Sequence, residues 1–289
     1  MRIGLIGLGQ MGTAIAQRLL QTNDSLMLYN RTKSKLTPFL QQGAEMAATP
    51  AELASRCDAV VTMVSDDEAF TAVVFGPEGI ASGINEGAVL IDMSTLTAPA
   101  VLRAAEAVRE RGADMLHAPI LGGPQNLLLG SATITVGGES ETFDRMLPML
   151  EAVAKPVLHV GKLTNGTHMK MALNIMLSHL LMGVSSSLAF AGRAGLDQAA
   201  VKSILSRVSG SVVERVAGKI LSGEQDVTFY LKNLEKDQRY FVETARGMGL
   251  ELPTIEAAQR LSEKAVEAGL GEENYTAVYR FMLEKSSIH

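Results

Sequence analysis

The sequence predicts an α/β chain in two parts: a doubly wound, mostly parallel sheet up to about residue 163, then helices alone. Three observations carry this expectation. Short β-rich runs alternate with helical patterns over roughly the first 160 residues. A glycine-rich turn joins the first such run to the first helix. Past Gly161, no β-branched run bounded by turns recurs.

The strand candidates are Arg2–Ile6, Leu26–Tyr29, Ala59–Val64, Val89–Met93, Met115–His117, Ala132–Val136 and Val157–Val160. Between them, Met11–Gln21, Lys33–Gln42, Ala98–Arg111 and Glu141–Ala152 carry helix patterns. Their ends are punctuated: Thr97 can cap, Pro99 sits in a first turn and Gly112 follows a last one. Strands alternating with helices of this size predict parallel pairing with both sheet faces covered. Next, Thr164-Asn165-Gly166-Thr167 offers caps for a helix running from about Thr167 to Gly192. Gln198–Ser206, Val212–Leu221, Asn233–Gly247, Thr254–Ala268 and Tyr275–Glu284 follow, separated by Gly195, Gly210, Gly223, Gly249 and Gly269. The expected domains are 1–163 and 164–289, the second all-α and opened by a long interdomain helix.

Composition narrows the function. With 47% hydrophobic and 20% charged residues in 289, the chain has a globular balance and room for a large core. A net charge of −5 gives non-specific nucleic-acid binding no electrostatic drive. Cys57 is the only cysteine, which excludes intrachain disulfides, CxxC redox chemistry and cysteine-rich zinc sites; no metal is expected. The opening MRIGLIGLGQ does not fit a secretory signal, so a cytoplasmic location is expected. Met169 to Ala191 is apolar almost all round and about long enough to span a bilayer. It nevertheless carries Asn174, Ser178, His179 and Ser185-Ser186-Ser187 and lacks an aromatic belt, so it reads as a helix buried between protein layers, with its remaining apolar surface meeting a second subunit.

Gly7-Leu8-Gly9-Gln10-Met11-Gly12 matches G-x-G-x-x-G directly after the first strand and at the start of the first helix, the context that pattern requires. Gly7 permits the tight turn, Gly9 lets backbone N–H groups approach a pyrophosphate, and Gly12 lets helix and strand pack closely. The helix N-terminus adds oriented donors and partial positive charge. The first domain is therefore expected to be a Rossmann-like dinucleotide-binding domain. At the end of the second strand, where NAD sites place a carboxylate, the chain reads Asn30-Arg31-Thr32, with Lys35 one turn on. Asn30 removes the charge that would repel a 2′-phosphate, Arg31 offers a guanidinium to grip it and Thr32 adds a hydroxyl. NADP(H) is expected over NAD(H).

Parallel sheets bind ligands at the carboxyl ends of their strands. Met63-Val64-Ser65 and Met93-Ser94-Thr95 end two of them and are candidates for the cofactor crevice, although Ser and Thr also cap helices there. On the long helix, Lys170 and Asn174 lie four residues apart and share a face inside an otherwise apolar stripe. A lysine so placed is costly to bury without partners, and partial desolvation favours proton exchange near neutral pH. Lys170 is thus expected to face the cleft between domains.

These motifs resemble the β-hydroxyacid dehydrogenases, of the 3-hydroxyisobutyrate dehydrogenase and glyoxylate–succinic semialdehyde reductase type, over essentially the whole chain. Gly7–Gly12, Asn30-Arg31-Thr32 and Asp92-Met93-Ser94-Thr95 carry the first part of the resemblance. His117-Ala118-Pro119-Ile120-Leu121-Gly122-Gly123 is similar to the family's D-A-P-V-S-G-G substrate segment. Gly161 to Lys170 resembles its lysine motif, and Lys236-Asp237 its late Lys-Asp pair. The resemblance implies reversible hydride transfer between a nicotinamide and the carbon of a β-hydroxy acid or the matching semialdehyde or oxo acid. It implies Lys170 as general acid/base, Asn174 holding the substrate or the lysine, and Thr95 touching both nicotinamide and substrate. It also implies Lys236 on the cofactor, Gly122 and Gly123 offering N–H groups to a substrate carboxylate, Asp237 orienting the helical contribution and Phe229 as a wall. A homodimer or homotetramer is expected on the same ground.

The departures bear on specificity. Leu121 stands where the family has serine, His117 replaces an acidic residue, Leu173 replaces the first of two asparagines, and Pro124 to Gly130 replaces a glycine–alanine stretch. Together they add aliphatic surface and predict a bulkier or less polar substrate than glyoxylate. Two alternatives share the fold. An imine reductase has no carboxylate to anchor, which suits Leu121 and Leu173, but often carries Asp or Tyr in the lysine's place. A non-catalytic NADP(H)-binding protein would have no need of Lys170 and Thr95.

Overall fold

The computed structural model describes residues 1–22, 25–222 and 226–285. The chain divides into two compact units, Met1–Lys170 and a second from Met171 onward.

The first unit holds one sheet of nine strands: β1 (Ile3–Ile6), β2 (Leu26–Tyr29), β3 (Glu45–Met46), β4 (Ala59–Thr62), β5 (Val89–Asp92), β6 (Asp114–His117), β7 (Ile120–Leu121), β8 (Thr133–Gly137) and β9 (Val157–Gly161). Their order is β3-β2-β1-β4-β5-β6-β8-β7, with β9 pairing β8. From β3 to β6 every pairing is parallel; β8 runs antiparallel to β6 and β7. The chain builds the sheet one way from β1 to β3 and the other way from β4 to β6. The boundary between β1 and β4 is therefore the switch point, where such sheets open a crevice for ligands.

Side chains alternate between two cores, because successive residues of a strand point to opposite faces. Ile3, Leu5, Leu28, Val61, Ile91 and Leu116 meet one cluster; Ile6, Met27, Val60, Leu90 and Met115 meet the other. The first is covered by α1 (Gln10–Thr22) through Ile15 and Leu19. The second is covered through Leu53 of α2 (Pro50–Arg56), Phe70 and Val74 of α3 (Asp67–Phe75), and Val101 and Val108 of α4 (Ala98–Arg109). Both faces are buried, as the near-continuous apolar runs predict. The doubly wound, mostly parallel sheet is as expected. Two strands escape the sequence pattern, β3 and β7, because two residues cannot display an alternation.

Helices α5 (Pro124–Leu128) and α6 (Ser140–Val153) flank β8, and beyond β9 the chain becomes helical: α7 (Leu163–Arg193), α8 (Gln198–Ser222), α9 (Leu231–Gly247), α10 (Pro253–Ala265) and α11 (Ala277–Lys285). The expected start of α7 near Thr167 is corrected to Leu163. Asn165 donates through Nδ2 to the carbonyl of Val160 (2.8 Å), tying the first turn to β9 rather than capping a later one. Expected separate helices over Gln198–Ser206 and Val212–Leu221 are one helix, since a single interior glycine costs only about 1 kcal/mol. In the second unit, Leu181, Val184 and Leu188 of α7 pack with Leu231, Leu234, Val278 and Phe281. A smaller cluster joins Met171 to Tyr240, Phe241 and Ile255. The stretch Leu163–Gly192 is long and apolar enough to cross a membrane, with mean hydropathy 1.5, yet a third of its most apolar window is buried inside the chain itself.

Candidate functional site

The glycine loop joins β1 to α1 at the switch point. Gly7 has φ +101°, and a Cβ there would stand 2.2 Å from the carbonyl oxygen of Met63. A Cβ on Gly12 would stand 1.9 Å from the carbonyl oxygen of Gly7. Only glycine fits either place. A Cβ on Gly9, by contrast, would meet nothing within 4 Å. The loop is thus packed tightly from behind by Met63 and open in front, which is the shape a pyrophosphate needs. Thr13 donates back to the carbonyl of Gly9 (2.8 Å), so the helical ladder starts there, with Gln10 and Met11 at the positive end of its dipole. Leu8 is buried, and its N–H is already taken by Asn30 Oδ1 (2.9 Å).

Asn30 therefore does more than remove a charge. Its Nδ2 donates to the carbonyl of Thr32 (2.8 Å), so one amide ties the glycine loop to the turn after β2. Arg31, Thr32 and Lys35 are exposed at that turn. The turn from Asn30 to Lys35 carries three cations, Arg31, Lys33 and Lys35, beside the Thr32 hydroxyl and no carboxylate. These residues fit a bound dinucleotide.

At the carboxyl ends of β4, β5 and β6 lies a polar row that composition and spacing did not reveal. Thr62 pairs in register with Asp92, and Asp92 with His117. All three are fully buried on one face of the sheet. Asp92 accepts from Thr62 Oγ1 (2.7 Å), from Ser94 Oγ (2.8 Å) and from the N–H of Ser94 (3.1 Å). His117 Nδ1 lies 3.1 Å from its second oxygen. Ser94 Oγ in turn accepts from the N–H of Val64 (2.9 Å). The buried carboxylate so gathers the ends that carry Met63, Val64 and Thr95. The signal that would have found this row is strand register, which a single sequence does not display.

Lys170 is half-buried on α7, and its Nζ donates to the carbonyl of Ile120 (2.6 Å). That carbonyl immediately precedes the half-buried Leu121 and the Gly122-Gly123 pair. Gly122 has φ +133°, a conformation that favours glycine. The N–H of Gly123, expected to reach a substrate carboxylate, is engaged within the chain. Asn126 Oδ1 accepts that N–H (3.1 Å) and closes the start of α5. A donor already satisfied at a helix cap is not available to a ligand without breaking the cap.

In the second unit, Asp237 is buried and bridges two side chains. It accepts from Asn174 Nδ2 (3.3 Å) and pairs with Lys236 Nζ (3.0 Å). Lys236 also lies over the ring of Tyr240 (5.1 Å). Asn174, Lys236 and Asp237 are thus brought together. Phe229 belongs to a different cluster: it packs edge-on against Tyr275 (6.3 Å between centroids), and its backbone bonds to Tyr275 and Asn274.

Two family models match the chain. Residues 2–161 match the NAD-binding domain of 6-phosphogluconate dehydrogenase, and residues 164–282 match the NAD-binding segment of NADP-dependent 3-hydroxyisobutyrate dehydrogenase. An uncharacterized oxidoreductase of Bacillus subtilis, YkwC, is 35% identical over 274 residues, covering 94% of each chain. Glyoxylate/succinic semialdehyde reductase 1 of Arabidopsis thaliana is 28% identical over 280 residues, covering 96% of this chain and 97% of the reductase. A crystal structure of 3-hydroxyisobutyrate dehydrogenase from Salmonella typhimurium superposes with a TM-score of 0.88 at 24% identity, covering 97% of this chain and 99% of that one. The chain belongs to the β-hydroxyacid dehydrogenases of the 3-hydroxyisobutyrate dehydrogenase type, a family of NAD(P)-dependent oxidoreductases.

Proposed function

We propose that the protein is an NADP(H)-dependent reductase and dehydrogenase acting between a β-hydroxy acid and its semialdehyde or oxo acid, with Lys170 as the general acid/base. The observation that carries this reading is the bond from Lys170 Nζ to the Ile120 carbonyl, which holds an ammonium beside Leu121-Gly122-Gly123. When bound, NADPH supplies the hydride. Lys170 gives a proton to the substrate oxygen as the carbonyl carbon becomes tetrahedral, and regains one from water; the reverse reaction runs the same transfer backwards. Ile120 uses one of the three ammonium donors and so fixes the direction of the others. Gly7 to Gly12 hold the pyrophosphate, with Met63, Val64 and Thr95 walling the cofactor, and Arg31, Thr32 and Lys35 grip the 2′-phosphate. Lys236 is assigned to the cofactor, and Asn174, oriented by Asp237, to the substrate. Leu121 in place of a hydroxyl side chain supports a substrate bulkier or less polar than glyoxylate.

The test is NADPH oxidation with glyoxylate, succinic, tartronate and methylmalonate semialdehydes and cyclic imines, run in parallel with NADH. Turnover of the semialdehydes that Lys170→Ala abolishes supports the reading. Turnover of imines alone, or NADPH binding with no turnover of any substrate, overturns it.

The assembly is read from α7. Met169, Met176, Gly183 and Phe190, every seventh residue, are exposed along one helical line, Phe190 to 74%. This uncharged stripe supports a homo-oligomer, and a monomeric mass in light scattering would refute it.

A further inference from the structure

The loops that follow β4 and β5 are stitched together by links that continue the register of those strands. Within the sheet, Thr62 lies opposite Asp92, thirty residues on. Beyond the strand ends the same offset recurs twice. The N–H of Val64 donates to Ser94 Oγ (2.9 Å), and Asp67 takes both donors of Thr97. The N–H of Thr97 donates to Asp67 Oδ1 (3.1 Å), and its hydroxyl donates to Oδ2. Thr97 stands at the N-cap of α4, yet its side chain makes no capping bond there. The hydroxyl reaches across to the first turn of α3 instead. On α3 the cap is Asp66, which accepts from the N–H of Ala69 (2.8 Å), and the next carboxylate, Asp67, faces the neighbouring loop.

Thr95 lies between these two links. Ser94 before it is buried and bonded to Val64, Leu96 after it is buried in the second core, and Thr97 is held by Asp67. The backbone around the half-buried Thr95 is thus fixed at three points within four residues. We propose that Asp67 is a positioning residue for hydride transfer: through Thr97 it fixes the 94–97 loop, and so the place of Thr95 against the nicotinamide. This rests on the reading of Thr95 as a contact of that ring. A carboxylate whose two oxygens are engaged by one residue sets both the distance and the direction of the link. Its charge lies at the first turns of α3 and α4, where the helix dipoles favour it. The glycine loop is packed by Met63, four residues before Asp67 and beyond the inner link at Val64. Loss of the Asp67 bonds is therefore expected to act on the hydride step more than on the grip on the phosphates.

The test measures hydride transfer in a single turnover, with NADPH and succinic semialdehyde both saturating, so that binding and product release do not enter. Asp67→Ala is expected to slow that step about 10- to 100-fold, as a displaced contact does. Thr97→Val keeps the shape, loses the hydroxyl and should slow it as well. Thr97→Ser keeps both donors and should stay within about threefold of the native rate. The NADPH dissociation constant should remain within about threefold in all three, because the phosphates are held elsewhere. The fluorescence lifetime of bound NADPH, which reports how firmly the ring is held, should change in Asp67→Ala and Thr97→Val and not in Thr97→Ser. In a Thr95→Ala background, Asp67→Ala should add a loss of no more than about twofold, because both changes act on one contact. A lower melting temperature with unchanged rate and lifetime overturns the proposal, since the link would then be a structural staple alone. An equal loss in Thr97→Ser, or a full further loss in the Thr95→Ala background, overturns it too. If Asp67→Ala does not fold, Thr97→Val against Thr97→Ser carries the comparison. Native rate and lifetime in Thr95→Ala would instead sink the reading of Thr95, and the proposal with it. If the native protein turns over no semialdehyde, the proposed activity fails separately, and the NADPH lifetimes of the same variants decide whether Asp67 places the ring contact.

Discussion

Lys170 Nζ stands 2.6 Å from the carbonyl oxygen of Ile120, fifty residues earlier in the chain. A charge-assisted bond to a backbone carbonyl holds a flexible side chain in one direction at little cost in specificity of sequence, since any residue at that place would present the same oxygen. Replacing Lys170 with alanine should lower kcat by about 10²- to 10⁴-fold, the usual contribution of general acid/base catalysis. NADPH affinity, measured by fluorescence titration, should stay within about twofold, since the phosphate contacts lie elsewhere.

The proposed grip of Arg31 and Lys35 on a 2′-phosphate is tested through coenzyme choice. Arg31→Ala should weaken NADPH binding by about 10- to 100-fold, corresponding to loss of a charged hydrogen bond of roughly 1.5–3 kcal/mol. NADH binding should hardly change, because it has no 2′-phosphate to lose. Titrations with both coenzymes decide the matter. Equal weakening of the two would place Arg31 in structure rather than recognition.

Gly9 and Gly12 separate ligand space from packing space. Gly12→Ala drives a methyl group into the carbonyl of Gly7 and should lower both the melting temperature and coenzyme affinity. Gly9→Ala meets no protein atom, so the melting temperature of the coenzyme-free protein should be preserved while coenzyme affinity falls. Differential scanning fluorimetry with and without NADPH reads both quantities.

Leu121 is half-buried next to Gly122 in the segment that the lysine touches. Leu121→Ser should move the ratio of kcat/KM values towards the smallest polar oxo acids by about tenfold or more, since a polar partner is gained and aliphatic surface lost. A panel running from glyoxylate to longer semialdehydes measures that ratio. An unchanged ratio would mean the side chain does not face substrate.

Cys57 offers a pH test in the first unit. Burial pushes its thiol up from 9.0 to about 11, only partly offset by the positive charge of Arg2 and Arg56. The unfolded thiol ionises near 9 and the folded one near 11, so unfolding releases a proton between those values. The stability this group contributes is complete below pH 9 and is lost as pH rises towards 11. Urea midpoints across that range should therefore fall more steeply for the native sequence than for Cys57→Ala. At pH 8, the thiol should react with an aromatic disulfide reagent only slowly until the chain unfolds.

The alternation of short apolar runs with helix patterns was enough to predict a doubly wound parallel sheet, because both periodicities arise from neighbouring residues. The glycine loop was legible for the same reason: a tight strand-to-helix turn shows itself in adjacent glycines, and Gly7, Gly9 and Gly12 divide as the pattern predicts into two packed positions and one open one. Helix ends were less legible. Asn165 looked like part of a cap and instead bonds back to Val160, and Gly210 looked like a break but lies inside one continuous helix. Each outcome depends on partners outside the local window.

The sequence by itself determined the kind of sheet, the dinucleotide loop and the turn that carries Arg31, since each is written in residues close together along the chain. Only the tertiary structure decided that Gly123 gives its N–H to Asn126, that Lys170 reaches Ile120, and that Thr62, Asp92 and His117 form one buried row. The physical reason is register. A strand's neighbours are chosen by the packing of the whole sheet, so residues thirty or fifty positions apart become hydrogen-bond partners only after the apolar faces have been buried.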